Sequence, residues 1–162
     1  LKAYESLMKQ CPEQLPQLVI VCEGPLERLA SSKASELGTQ NVVLAGTVDY
    51  ENMPAYYHSC DVFILLSYSD CNPLVILEAL SVGVPIVCTS RAGNAVDFVH
   101  EGCNGYIVEP DAEVQIARRL REVLSWSPEK RSSVAQVSKD LIKKTSYESV
   151  SDTFISAIKS TL

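Results

Sequence analysis

Residues 61–89 read Asp61-Val62-Phe63-Ile64-Leu65-Leu66-Ser67-Tyr68-Ser69-Asp70-Cys71-Asn72-Pro73-Leu74-Val75-Ile76-Leu77-Glu78-Ala79-Leu80-Ser81-Val82-Gly83-Val84-Pro85-Ile86-Val87-Cys88-Thr89. Residues 62–66 form a continuous apolar run of strand length, suited to a sheet covered on both faces. A polar loop, 67–72, follows. Pro73 stands where a helix begins, with its φ already suited to that position. Leu74, Leu77 and Leu80 keep helical spacing, Gly83 is a stop signal, and residues 85–89 make a second buried strand. The stretch predicts one β-loop-α-β unit and so a parallel sheet. Ligands of open α/β sheets bind beyond the carboxyl ends of the strands, where this loop lies. The loop also runs into a helix N-terminus, whose free N–H groups suit a phosphate. Asp70 in the loop and Glu78 two turns into the helix could accept hydrogen bonds from sugar hydroxyls in one crevice.

Composition bounds the rest. With 162 residues, one domain is the default. An apolar share of 46% with 21% charged residues is ordinary for a globule with a buried core. No apolar run reaches the ~20 residues of a membrane span, and no signal peptide opens the sequence. The net charge of −6 argues against nucleic acid as a partner, leaving a local basic patch at Arg118, Arg119 and Arg121 as the exception. Six cysteines, Cys11, Cys22, Cys60, Cys71, Cys88 and Cys103, contain no C-x-x-C pair. Their placement in or beside apolar strands suggests reduced, structural thiols in a cytoplasmic setting. Two histidines and these spacings give no metal motif.

Along the chain, residues 1–8 read as a helix without a capping residue before it. Residues 17–22 read as a buried strand, 23–25 as a turn, and 26–37 as an amphipathic helix ended by Gly38. A short strand at 41–45 and the turn Gly46-Thr47-Val48-Asp49 follow, with Asp49 placed to cap a helix over 50–60. Tyr56 and Tyr57 fit core and surface better than a stacking platform, and His58 is isolated. Residues 102–108 read as a short hairpin-like strand, and 110–124 as a long amphipathic helix. Trp126-Ser127-Pro128 breaks it, and two more helices follow, 128–144 and 146–162. There are no internal repeats and no low-complexity segment.

The segment Asp70 to Pro85 resembles the signature of retaining GT-B glycosyltransferases of the group 1, or family four, type. These carry an acid, seven residues, Glu-Ala, and then Gly-x-Pro; here the positions are Asp70, Glu78, Ala79, Gly83 and Pro85. The chain departs from the pattern in having Asp rather than Glu first, and Cys71-Asn72 where a glycine-rich pair is usual. Gly93-Asn94 with Asp97 resembles the family's Gly-Gly-x-x-Glu loop. Asparagine is the next best residue after glycine for a left-handed backbone, so the turn is expected to survive.

The resemblance implies a Rossmann-like parallel sheet flanked by helices, one half of a GT-B fold. The first strand and a basic Gly-Arg…Lys loop are expected upstream of residue 1. Residues 1–162 would form the donor domain, 146–162 its closing helix, and the acceptor domain would lie outside this chain. The implied reaction moves a hexosyl unit from a nucleoside diphosphate sugar to a hydroxyl acceptor with retention, as in polysaccharide biosynthesis. No metal or other cofactor is expected. Asp70 would serve the donor sugar as the catalytic acidic residue and Glu78 the ribose. Ser67, Asn72, Pro73 and the N–H groups of Leu74 and Val75 would lie near the diphosphate. Gly46 and Val48 would hold the base through main-chain groups, and Gly93 would border the crevice.

Implied partners are a nucleotide sugar and the missing N-terminal domain, with peripheral membrane contact through that domain. The isolated chain is expected to bind donor nucleotide weakly and to transfer nothing. The bland reading of Asp70 is a helix cap. For Glu78 it is a solvated residue, which the surrounding apolar segment disfavours. Two other functions remain open: a non-catalytic nucleotide-binding or interaction module, and a sugar-nucleotide epimerase-like domain, which lacks this loop.

Overall fold

The computed structural model describes residues 1–10, 15–38 and 40–160; Cys11 lies outside them. The elements run α1 (Lys2–Gln10), β1 (Leu18–Ile20), α2 (Glu27–Glu36), β2 (Val42–Leu44), a 3-10 turn (Tyr50–Asn52), α3 (Met53–Ser59), β3 (Phe63–Leu65), α4 (Leu74–Val82), β4 (Ile86–Thr89), α5 (Ala95–Phe98), β5 (Gly105–Val108), α6 (Glu113–Leu124), α7 (Pro128–Lys143) and α8 (Tyr147–Ser160). Every strand pairing is parallel. The strand at 105–108 is a parallel neighbour of β4, so the hairpin expected there is replaced by a crossover connection through α5.

The strands alternate their side chains between two cores, as the pleat requires. Ile64, Val87, Tyr106 and Val108 face α1 and α6, where Tyr4, Leu7, Ile116, Leu120 and Val123 close the first core. Phe63, Leu65, Ile86, Cys88 and Ile107 face the other way, against Tyr57 of α3, Ile76 and Leu80 of α4, and Ala95 of α5. The result is the three-layer α/β/α arrangement, with β4 buried along its whole length. Gly83 caps α4 in the left-handed region at φ 80°. A Cβ there would also lie 2.7 Å from Ala135 Cβ of α7, so the position demands glycine twice over. Ser127 caps α7, accepting a hydrogen bond from Lys130 N at 3.3 Å, with Pro128 in the first turn.

The single parallel sheet expected from the sequence is divided in two, β1-β2 and β3-β4-β5. Leu18 and Val42 nevertheless pack on the same first core as Ile64. Among the described residues no strand pairing joins the two sheets.

Helix α2 also differs from expectation. None of its residues is buried, and Leu26 and Leu29 are exposed. Asp49 does not cap with its side chain. Its carbonyl instead accepts from Asn52 N and Met53 N, and α3 is shorter than the 50–60 span expected. The basic patch is likewise broken up. Arg119 stacks 4.1 Å over the Tyr106 ring and pairs with Glu101 and Glu122, leaving Arg118 and Arg121 beside Glu122 and Ser125 at a shallow cleft.

Candidate functional site

The β3–α4 loop, residues 66–73, is tied to the β4–α5 loop, residues 90–94, along its length. Thr89, fully buried at the end of β4, donates its hydroxyl to Ser67 O at 2.6 Å. Asp70 N donates to Arg91 O at 3.2 Å, and Gly93 N to Asp70 O at 2.8 Å, a short parallel bridge that centres on Asp70 and Ala92. Asn94 Nδ2 then donates to Asn72 Oδ1 at 3.0 Å and to Pro73 O at 3.1 Å. The loops approach so closely that a Cβ on Gly93 would lie 2.1 Å from Cys71 O.

That closeness explains Gly93, and it corrects the expectation for its neighbour. Asn94 has φ −94° and ψ 3°, and no described non-glycine residue has a positive φ. Space, not handedness, is what this turn needs, and Asn94 contributes through its buried side chain.

Asp70 does not cap α4. The helix N-cap is Pro73, with no side-chain cap, and Asp70 Oδ1 instead accepts from Asn72 N at 3.2 Å within the loop. The first N–H groups of α4 are therefore not claimed by a side chain, and its positive end stays available to an anion. Leu74 at this end is exposed and Val75 half-buried.

Glu78 is half-buried, not solvated, and Tyr57 OH of α3 donates to its Oε2 at 2.7 Å. Burial first, and then the bond to Glu78, push the Tyr57 phenol well above its ordinary range, so it stays protonated and a donor. One carboxylate oxygen is thereby fixed, which sets the aim of the other. Sequence reasoning left Tyr57 as a packing residue; its place in the second core is right, but its hydroxyl role needed the fold to appear.

The two acids thus belong to one β-loop-α unit but take different partners, Asp70 its own loop and Glu78 α3. A cleft of about 540 Å³ opens at the same strand ends, lined by Tyr68, Arg91, Glu109, Pro110, Asp111 and Ala112, and Tyr68 OH donates to Asp111 Oδ1 at 2.7 Å. Asp70 and Glu78 are not among its lining residues. Gly46 (φ +67°) and the half-buried Val48 sit in the turn after β2, beyond the carboxyl end of the other sheet. Ser67, Asp70, Asn72, Gly93, Gly46 and Val48 thus lie in loops that follow strands, whereas Glu78 lies within α4. Among the described residues no cluster of three metal-ligating side chains forms, and no helix is long and apolar enough to cross a membrane.

Residues 1–140 match the family model described as glycosyl transferases group 1. The sulfoquinovosyl transferase of Arabidopsis thaliana is 31% identical over 127 residues, which cover 73% of this chain and 23% of that protein. An uncharacterised glycosyltransferase of Methanocaldococcus jannaschii is 27% identical over 98% of this chain and 42% of its own length. The chain thus spans less than half the length of both. Among solved structures, the C-terminal domain of a group 1 glycosyl transferase (LpcC) from Francisella tularensis superposes with a TM-score of 0.73 at 22% identity, covering 88% of this chain and 76% of that one. HepE of Anabaena, solved with UDP, superposes with a TM-score of 0.77 at 21% identity, over 99% of this chain and 44% of that protein. A second HepE structure contains UDP-glucose. These likenesses show the fold, a Rossmann-like α/β domain of the kind found in the C-terminal halves of GT-B enzymes.

Proposed function

The chain belongs to the glycosyl transferases group 1 family, and from that premise we propose that it is the donor-binding half of a retaining, family-four-type hexosyltransferase using a nucleoside diphosphate sugar. The observation that carries the proposal is the laced pair of loops. Main-chain bridges and buried side chains hold the Asp70 loop fixed at the carboxyl strand ends, directly before a helix whose N-terminus has no side-chain cap. A site that must stabilise a departing diphosphate needs such preorganised donors.

In this reading Asp70 serves the donor sugar hydroxyls. Glu78, aimed by Tyr57, accepts from the ribose. The N–H groups of Leu74 and Val75, with Ser67, Asn72 and Pro73, face the diphosphate, Gly46 and Val48 border the base, and Gly93 borders the crevice. The α4 dipole supplies the positive field, so the scheme calls for no metal. A strand from a further segment would pair between β1 and β3, an N-terminal domain would supply the acceptor site and any membrane contact, and α8 would close onto that domain. The exposed Tyr147, Val150, Phe154, Ile155 and Ile158 of α8 support that last point. The five cysteines among the described residues are all unpaired, which supports a reducing, cytoplasmic location. By itself the chain would bind donor weakly and transfer nothing.

The test is calorimetric titration with uridine, guanosine and adenosine diphosphates and their glucose conjugates. Binding to one base, lost in Glu78→Ala, is the expected result. A full-length protein that binds none of them is a non-catalytic relative, and the proposal fails.

A further inference from the structure

Two of the positions at which this chain departs from the family pattern meet in space. Asn72 stands in place of part of a glycine-rich pair, and Asn94 in place of a second glycine, yet Asn94 Nδ2 lies 3.0 Å from Asn72 Oδ1. The orientation of the Asn94 amide follows from chemistry. Pro73 O, 3.1 Å away, can only accept, so the NH₂ end must face it. Asn94 Oδ1 is then left buried with no hydrogen-bond partner. An amide that is 6% exposed and leaves one atom unsatisfied is costly to keep. What it secures is the position of one exposed side chain, Asn72, and of the carbonyl of Pro73, the N-cap of α4.

We propose that Asn94 is a positioning residue for the donor site, acting through Asn72 and Pro73. The inference rests on reading this loop as the donor site. Asn94 touches no ligand in this scheme. Its two hydrogen bonds set the separation between the Asp70 carboxylate, whose Oδ1 accepts from Asn72 N, and the first N–H groups of α4. That separation decides whether one bound molecule can reach both with its sugar and its diphosphate. Losing the Asn94–Asn72 bond should therefore weaken a nucleotide sugar more than the bare nucleoside diphosphate, which does not reach Asp70.

Two substitutions separate the bond from simple charge. Asn94→Asp removes the donor and sets an acceptor against Pro73 O. Asn72→Asp keeps the accepting oxygen, and so the bond, while adding the same charge about 3 Å away. Asn72→Ala, at an exposed position, removes the acceptor with little effect on folding. In the full-length protein, the best-binding nucleotide sugar of the panel above and its parent diphosphate are titrated against each variant. Asn94→Asp and Asn72→Ala should lose about five- to tenfold in preference for the sugar conjugate over its parent diphosphate, whereas Asn72→Asp, which sets a charge beside the diphosphate, weakens both ligands alike and keeps the wild-type preference. An unchanged preference for the conjugate in Asn72→Ala, or a loss of preference in Asn72→Asp equal to that in Asn94→Asp, overturns the inference. Amide hydrogen exchange of residues 70–76 in the ligand-free protein gives a second reading, expected to quicken in Asn72→Ala and Asn94→Asp alone. Should wild type bind no nucleotide, the donor-site reading falls, and unchanged exchange in Asn72→Ala then overturns the positioning role independently.

Discussion

Glu78 and Tyr57 show how a carboxylate is prepared without a cation. The phenol of Tyr57 is buried, its ring tilted against Phe63 with centroids 5.6 Å apart, and it is kept protonated by burial and by Glu78 itself. It spends its only proton on Glu78 Oε2. Tyr57→Phe should therefore leave the fold intact while freeing the carboxylate to rotate. We expect about a three- to tenfold loss of nucleotide affinity, about the net worth of one ordinary hydrogen bond because the effect is indirect, and calorimetry beside an unchanged melting curve checks it. Cys88 makes a pH prediction. Burial pushes its thiol up from 9.0 to about 12. Its folded value lies above its unfolded one, so the unfolded chain gives up the proton first as pH rises. The associated stability is complete below pH 9 and drains away between pH 9 and pH 12. Melting of Cys88→Ala, followed across that window, should fall less steeply with pH than wild type. Equal slopes would remove Cys88 as a cause.

At the scale of elements, Gly83 and Gly93 mark close approaches that only glycine permits, one behind the site and one within it. Gly83 joins a positive φ to contact with Ala135 of α7. Gly83→Ala should cost about 1–3 kcal/mol, read as a lower melting temperature, with donor binding preserved because the strain falls at the far end of α4. Gly93→Ala faces Cys71 O at 2.1 Å, and the only relief is for the two loops to part. It should lose nucleotide sugar binding before it loses the fold. A Gly93→Ala variant with wild-type affinity would show that the lacing between the loops is not needed for the site.

On the scale of the whole molecule, stability is unevenly spread. The three-stranded sheet has β4 buried throughout, packed by α4, α7, α1 and α6. The β1–β2 pair is half-exposed, with Val19 and Val43 open to solvent and α2 unburied beside it. Local opening follows such differences. Hydrogen exchange should protect residues 86–89 most and residues 18–20 and 42–44 far less. Comparable protection in both sheets would mean that the β1 and β3 edges are held by something this packing does not show.

Much of this was legible along the chain. Apolar runs, a proline and glycine at helix ends, and an acid-x7-Glu spacing are local signals, and they were enough to predict the order of strands and helices and the layer class, and to propose which loop carries the chemistry. Periodicity reports which face an element buries, since a pleat or a helix turns each residue by a set angle. It does not report what meets that face. The break between the two sheets, the bare side of α2, the parallel rather than hairpin pairing of residues 105–108, the proton that Tyr57 gives Glu78, and the bond from Asn94 to Asn72 all join residues distant in sequence. Those pairings exist only once the chain has closed on itself, and it was the tertiary structure that decided them.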